Sequence, residues 1–263
     1  WAWARKGRTL RLLEDYDEAL ACYDRALAIL PNYAWAWNGK GIILERMDRL
    51  EEARDCFETA TEINPDVVWY WYNRAGVMQA MNEYQQAIDL LERGLKLDPA
   101  HPNSWAKLGQ NYRYLHEYQK AVNAYEQSIR LDPNYGWAHN GYGLALKALG
   151  RLQDALHAFK RATRYQPEEV WPWYNLTELL VDMGQYKDAL DPAHEATRTD
   201  PNYAFGWAKY GQVLRYVRRY DESLRAYDRA LELDPNSAWA INGKGIALEQ
   251  VGRYEDALEC YRE

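Results

Sequence analysis

The sequence predicts an all-α fold, a solenoid of antiparallel helix pairs, and three observations lead there. Glycines stand at Gly7, Gly41, Gly109, Gly143, Gly211 and Gly245 on a 34-residue ruler whose two gaps hold Ala75 and Thr177. Prolines keep the same interval at Pro31, Pro65, Pro99, Pro133, Pro167, Pro201 and Pro235; a fixed period of this size marks a repeat protein. Between glycine and proline each unit carries a second helix-sized stretch with Ala19, Ala53, Ala87, Ala121, Ala155, Ala189 or Ala257, only Ser223 departing.

The elements of one unit follow in order. A first helix presents a bulky aromatic one turn before the small residue, and a second helix carries large residues four places after its alanine, among them Tyr23, Phe57, Tyr125, Phe159, Tyr227 and Tyr261. Two helices approach closely only where small opposes bulky. Gly150, Gly184 and Gly252 fall where the first helix must stop, supplying a left-handed cap that lets the chain reverse. The proline closes the unit. One pair cannot bury both of its faces, so neighbouring pairs must stack. Unit six departs most, with Thr177 for glycine, Ala193 for the large aromatic and Pro192 inside the second helix, where a kink is expected.

Composition narrows the function classes. The 263 residues are 48% hydrophobic and 27% charged, which suits a folded chain. No apolar run approaches the roughly 20 residues of a membrane span, and the opening WAWARKGRTL lacks the layout of a secretion signal, so a cytoplasmic location and no membrane partner are expected. A formal charge of -7 argues against nucleic acid as partner. Cys22, Cys56 and Cys260 occupy one slot in their units, where others have Ala124, Ala158 and Ala226; small-residue packing by reduced thiols explains them. His101, His116, His139, His157 and His194 show no paired ligand spacing, and neither a phosphate loop nor a nucleophile elbow occurs. No catalytic residue, metal or cofactor is therefore expected.

W-x-x-x-G, then A-x-x-x-Y/F-x-x-A, then a closing proline resembles the tetratricopeptide repeat, and Trp37, Gly41, Ala53, Phe57, Ala60 and Pro65 carry the pattern in one unit. The resemblance covers the chain as a single array of eight units, approximately 1–33, 34–67, 68–101, 102–135, 136–169, 170–203, 204–237 and 238–263. It implies a right-handed superhelical solenoid that binds peptides or protein partners, not an enzyme. The array starts inside a first helix and stops inside a second, so the chain is read as a fragment of a longer protein whose uncapped ends favour end-to-end self-association.

A longer beat overlies the 34-residue one. Counted by the family's scheme, the tryptophans fall at positions 2 and 4 of the first helix. Position 4 (Trp3, Trp37, Trp71, Trp105, Trp173, Trp207) reads as core, whereas position 2 (Trp1, Trp35, Trp69, Trp137, Trp171, Trp239) lies on the stripe that, by the resemblance, lines the concave surface. Positions 5 and 6 cycle every 102 residues: Asn38 recurs as Asn140 and Asn242, Tyr72 as Tyr174, Asn73 as Asn175, and Lys107, Gln110, Arg113 and Tyr114 as Lys209, Gln212, Arg215 and Tyr216. Outward positions of the second helices do not follow, as Ala21, Asn123 and Arg225 illustrate. Restraint by a bound partner and restraint by helix packing both produce such a pattern, and binding is favoured.

Asparagine can clamp a peptide backbone and Trp or Tyr can hold apolar side chains. Arg5, Arg8, Arg11, Lys147 and the lysines and arginines above, only partly offset by Glu45, Glu178, Asp182 and Glu249, point to an acidic or aromatic peptide segment. The family's chaperone-tail clamp, Lys at position 5 with Asn at position 9, is missing, while Asn73 and Asn175 resemble the asparagine ladder of the O-GlcNAc transferase array. The expected function is a protein-interaction scaffold; the alternative is a recruiting or regulatory array of a larger enzyme or signalling ATPase.

Overall fold

The computed structural model describes residues 1–262, so the last residue of unit eight lies outside the described residues. Helices alternate with short turns throughout, and contacts divide the chain into two compact units, 1–133 and 134–263. The first unit pairs α1 (Ala2–Leu12) with α2 (Tyr16–Ile29), α3 (Ala34–Arg46) with α4 (Leu50–Ile63), α5 (Val68–Ala80) with α6 (Tyr84–Leu97), and α7 (Pro102–Tyr114) with α8 (Tyr118–Leu131). The second pairs α9 (Gly136–Ala148) with α10 (Leu152–Tyr165), α11 (Val170–Asp182) with α12 (Leu190–Thr199), α13 (Ala204–Tyr216) with α14 (Tyr220–Leu233), and α15 (Ala238–Gln250) with α16 (Tyr254–Cys260). This is a solenoid of helix pairs. Within a unit first helices also meet first helices: α1 touches α3, α3 touches α5, α9 touches α11, and α13 touches both α11 and α15.

The small-against-large rule is met directly. Tyr23, Phe57, Tyr125, Phe159 and Tyr227 are fully buried. A methyl group on Gly41 would stand 2.8 Å from the Phe57 ring, and one on Gly143 2.7 Å from Phe159, so the ring plane rests on bare backbone. Where glycine is lost the volume moves across the pair: Ala75 accompanies Leu91, and buried Thr177 accompanies buried Ala193. Cores tolerate exchanges that conserve volume, which accounts for two of the irregularities of unit six.

Pro192 does not kink its helix. Instead α12 starts at Leu190 and has 10 residues, against 14 in α10 and α14. Residues 186–189 form turns, and proline falls in the first helical turn, where its missing N–H would have had no helical acceptor.

Every first helix ends the same way. The second residue after the helix adopts positive φ at Gly150, Gly184 and Gly252, as the glycines suggest, but also at Glu14, Asp48, Asn82, His116 and Arg218, between 59° and 64°. In each case the next N–H reaches back five residues, as from Asp15 to the Leu10 carbonyl at 3.0 Å and from Arg151 to Leu146 at 3.0 Å, closing the helix C-terminus.

The proline ruler and the tryptophan ruler are one device. At position 4 the indole N–H donates to the carbonyl of the proline six residues earlier: Trp37 to Pro31 and Trp71 to Pro65 at 2.7 Å, and Trp105 to Pro99, Trp173 to Pro167 and Trp207 to Pro201 at 2.9 Å. Before several of these prolines an Asp or Asn side chain accepts the N–H two residues on, as Asp98 does from Ala100 at 3.0 Å and Asp200 from Asn202 at 3.0 Å. The turn between these repeats is thereby fixed at both ends.

Candidate functional site

In the first unit the site is built from α3, α5 and α7. Asn73 Nδ2 donates to Asn38 Oδ1 at 2.8 Å. Trp69, Tyr72 and His101 form an edge-on aromatic triangle with centroids 4.4 to 5.8 Å apart. Lys107 Nζ lies 4.5 Å from the centre of the Tyr72 ring, within cation–π range. Gly76 makes room for it, since a methyl group there would be 3.2 Å from Lys107 Nζ and 3.6 Å from Glu45 Oε1. Burial raises the Glu45 carboxyl above the ordinary range, with Lys107 opposing; burial lowers the Lys107 ammonium, with Glu45 opposing.

One turn further, Gln110 Nε2 donates to Tyr114 Oη at 3.3 Å and the Arg113 guanidinium lies 4.8 Å over the Tyr114 ring. Tyr114 stacks on Tyr84 at 4.9 Å.

The second unit repeats this architecture on α9, α11 and α13. Asn175 donates to Asn140 at 2.9 Å. Trp171, Tyr174 and Tyr203 form the triangle, with centroids 5.4 to 6.3 Å apart, Tyr203 standing where the first unit has His101. Lys209 lies 5.6 Å from the Tyr174 ring centre and 4.8 Å from that of Trp239. Arg215 covers Tyr216 at 4.6 Å, and Tyr216 stacks on Tyr186 at 4.3 Å. The charges differ: Lys147 replaces Glu45 and pairs with Glu178 at 2.7 Å and Asp182 at 2.8 Å, Glu178 filling the place of Gly76. Burial and the nearby Glu178 push the Tyr174 phenol up to about 12. Burial also lowers the Lys209 ammonium, Glu178 and Asp182 partly compensating.

The side chains singled out in the sequence are thus brought together in two copies, with distinctions among them. Of the position-2 tryptophans Trp1, Trp69 and Trp171 are open, 79%, 47% and 52% exposed, whereas Trp35, Trp137 and Trp239 are half-buried, Trp35 against Tyr33 and Trp137 against Tyr135. Asn38 and Asn175 are 9% exposed and bonded along the ladder, so the amides hold adjacent helices as well as facing the stripe. Asn242 is exposed on α15. Gln212 Oε1 and the Nε atoms of Arg113 and Arg215 are buried without a hydrogen-bond partner.

Part of the 102-residue beat is packing. A methyl group on Gly39 would strike the Tyr23 hydroxyl end at 2.5 Å, and one on Gly243 the Tyr227 ring at 2.5 Å. Burial raises the phenols of Tyr23 and Tyr227 while Arg11 and Arg215 respectively oppose it. Glycine at position 6, the buried tyrosine before it and the arginine beside that tyrosine therefore recur together for a reason internal to the fold. His101, Tyr203, Tyr84 and Tyr186 escaped the sequence reading because they sit outside the first-helix stripe, although His101 and Tyr203, and Tyr84 and Tyr186, are themselves 102 residues apart.

A third feature of this face lies on α1 and α3, where Trp1, Arg5, Arg8, Thr9, Tyr33 and Trp35 line a pocket of about 710 Å³. Among the described residues no carboxylate is within ion-pairing distance of Arg5 or Arg8. The same residues hold no cluster of three or more His, Cys, Asp or Glu able to bind a metal. None of the described helices is long and apolar enough to cross a membrane. Cys22 and Cys56 are buried free thiols, and burial raises Cys56 to about 11.

Models of the tetratricopeptide repeat match residues 1–66, 32–100, 66–134, 106–170, 146–208 and 204–263. The chain belongs to the tetratricopeptide repeat family. Among solved structures it is similar to YrrB, a repeat protein described as having an unusual peptide-binding site, at 22% identity and TM-score 0.57 over 72% of this chain and 97% of that one. It is also similar to a tetratricopeptide repeat protein from Parabacteroides merdae, at 16% identity and TM-score 0.69 over 94% and 98%, and to the Cut9–Hcn1 assembly of the APC/C, at 18% and 0.73 over 89% and 48%. Comparison with curated proteins finds no match.

Proposed function

We propose that the protein is an interaction scaffold that holds an extended peptide or partner segment along the first-helix face, with acidic and aromatic side chains preferred. The observation that carries this reading is the pocket of Arg5, Arg8, Trp1, Tyr33 and Trp35: two guanidinium groups without a carboxylate, walled by aromatic rings, in a chain whose formal charge is -7. An open ring recurs in each unit, Trp69 in the first and Trp171 in the second. Family membership supports binding over catalysis, and YrrB is a relative in fold with a peptide site.

The test is an immobilised library of acidic peptides containing Trp or Tyr, probed with the wild-type chain, the Arg5→Ala/Arg8→Ala variant and, as an opposite-face control, Arg225→Ala. The double variant is expected to lower affinity at least about tenfold, and added salt to weaken binding by the wild type. Unchanged affinity in the double variant with loss in Arg225→Ala would place the binding surface elsewhere.

A further inference from the structure

The second unit carries a run of rings along α11, α13 and α15 that the first unit lacks. Trp171, Phe205 and Trp239 are the position-2 residues of these helices, and Tyr203 joins them. Ring centres lie 5.4 Å apart from Trp171 to Tyr203, 6.1 Å from Tyr203 to Phe205 and 6.3 Å from Phe205 to Trp239, the last pair stacked. Trp171 and Phe205 are open to solvent. In the first unit Asn103 stands where the second has Phe205, so no ring continues the run there.

The run ends at a cation without an acceptor. Lys209 lies 4.8 Å from the centre of the Trp239 ring and 5.6 Å from that of Tyr174, and it is only 9% exposed. Among the described residues its ammonium has neither a hydrogen-bond acceptor nor a carboxylate within ion-pairing distance. The rings offset part of the lost hydration, but three N–H donors remain to be satisfied; a buried donor left unpaired is costly and rare in folded proteins. The neighbouring charges decide which acceptor fits. Glu178 and Asp182 are both taken by Lys147, so two carboxylates already face two ammonium groups, and Asp200 adds a further negative charge near Tyr203. A carboxylate brought to Lys209 would overcharge this partly desolvated cluster, whereas a neutral oxygen leaves the balance as it is.

We infer that this part of the second unit holds a neutral stretch of a partner chain, with an apolar or aromatic side chain along Phe205 and Trp239 and the adjoining main-chain carbonyl accepting from Lys209 Nζ. The inference rests on the first-helix face being the binding surface, and it gives the second unit a chemistry different from that of Arg5 and Arg8.

Two tripeptides, Trp-Gln-Phe and Trp-Glu-Phe with acetylated and amidated ends, titrated into the ¹⁵N-labelled chain test it, the indole N–H of Trp239 being assigned with Trp239→Phe. The neutral peptide is expected to shift that resonance saturably and to bind about fivefold more tightly than the acidic one. Lys209→Met removes the donor and Phe205→Asn installs the first unit's residue; each should weaken binding about tenfold. Phe205 is half exposed, so its variant keeps the test open if Lys209→Met unfolds. A shift that does not saturate, or an affinity unchanged in Phe205→Asn, overturns the subsite, and tighter binding of the acidic peptide overturns the neutral preference. Arg5→Ala/Arg8→Ala should bind the neutral peptide as wild type does; weaker binding there would return that peptide to the arginine pocket and overturn the subsite. If the neutral peptide does not bind while acidic peptides still depend on Arg5 and Arg8, the second-unit subsite fails alone; if neither class binds, the binding face itself is wrong.

Discussion

Residues 34–101 of the first unit and 136–203 of the second carry the same helix pairs, and the contrast between them is electrostatic. The amide ladder is kept at 2.8 and 2.9 Å, and so are the aromatic triangle and the lysine over its tyrosine. The carboxylates are not. Glu45 and Lys107 share the gap over Gly76 in one unit; Lys147 joins Glu178 and Asp182 in the other, with Lys209 beside them. Each arrangement balances carboxylate against ammonium one for one. A partly desolvated site penalises unbalanced charge far more than it dictates which helix carries which sign, so the copies could exchange positions while their neutral contacts stayed fixed.

The largest expected effect probes what the units share. Phe57→Ala and Phe159→Ala each remove a fully buried ring seated on a glycine, and each should cost about 3–5 kcal/mol. Native-state hydrogen exchange read separately on α3–α4 and α9–α10 would check it, because neighbouring repeats need not unfold as one. Similar losses in both places are expected; a difference of several kcal/mol would mean that the common ruler conceals two different cores.

The next effect probes where they differ. Gly76→Glu places a second carboxylate beside Glu45 and against Lys107, and should destabilise the first unit by roughly 1–3 kcal/mol. Adding Glu45→Lys converts the first unit to the charge order of the second and should recover most of that loss in a double-mutant cycle. The pH dependence gives an independent check. Burial holds the Glu45 carboxyl above its unfolded value, so its ionised form detracts from stability at neutral pH. Wild type should therefore gain on Glu45→Gln as pH falls through the folded-state pKa. A wild type that instead loses ground to Glu45→Gln on acidification would show Glu45 to be stabilised as a carboxylate.

The rungs of the fold were legible because glycine, alanine and proline report backbone proximity and turns with little ambiguity. What escaped was chemistry shared between positions: the Trp–Pro hydrogen bond spans six residues and links two features that look independent as letters. The site was legible as a stripe, since Tyr72, Asn73 and Lys107 do converge, but not in its charges. Glu45 and Glu178 seemed mere offsets, although they decide how the lysines are held. Pro192 misled for a different reason: a helix boundary can shift, so a proline read as internal became part of a first turn.

The smallest effect is also the cleanest comparison. Asp48 and Gly150 are equivalent residues 102 apart, both ending a first helix with positive φ, at 59° and 74°. A side chain at Gly150 meets nothing within 4 Å, so exchange at this place changes backbone energy with little change in contacts. Gly150→Asp should destabilise the second unit by about 1 kcal/mol and Asp48→Gly should stabilise the first by a similar or smaller amount, the freer unfolded glycine subtracting from the gain. Paired urea melts of the two variants measure both signs. Asn82→Gly, equivalent to Gly184 in the second unit, should gain less, because asparagine tolerates the left-handed region better than aspartate. If Asp48→Gly loses stability instead, that aspartate must hold its turn by something other than backbone shape, and the two units would differ at their turns as they do in their charges.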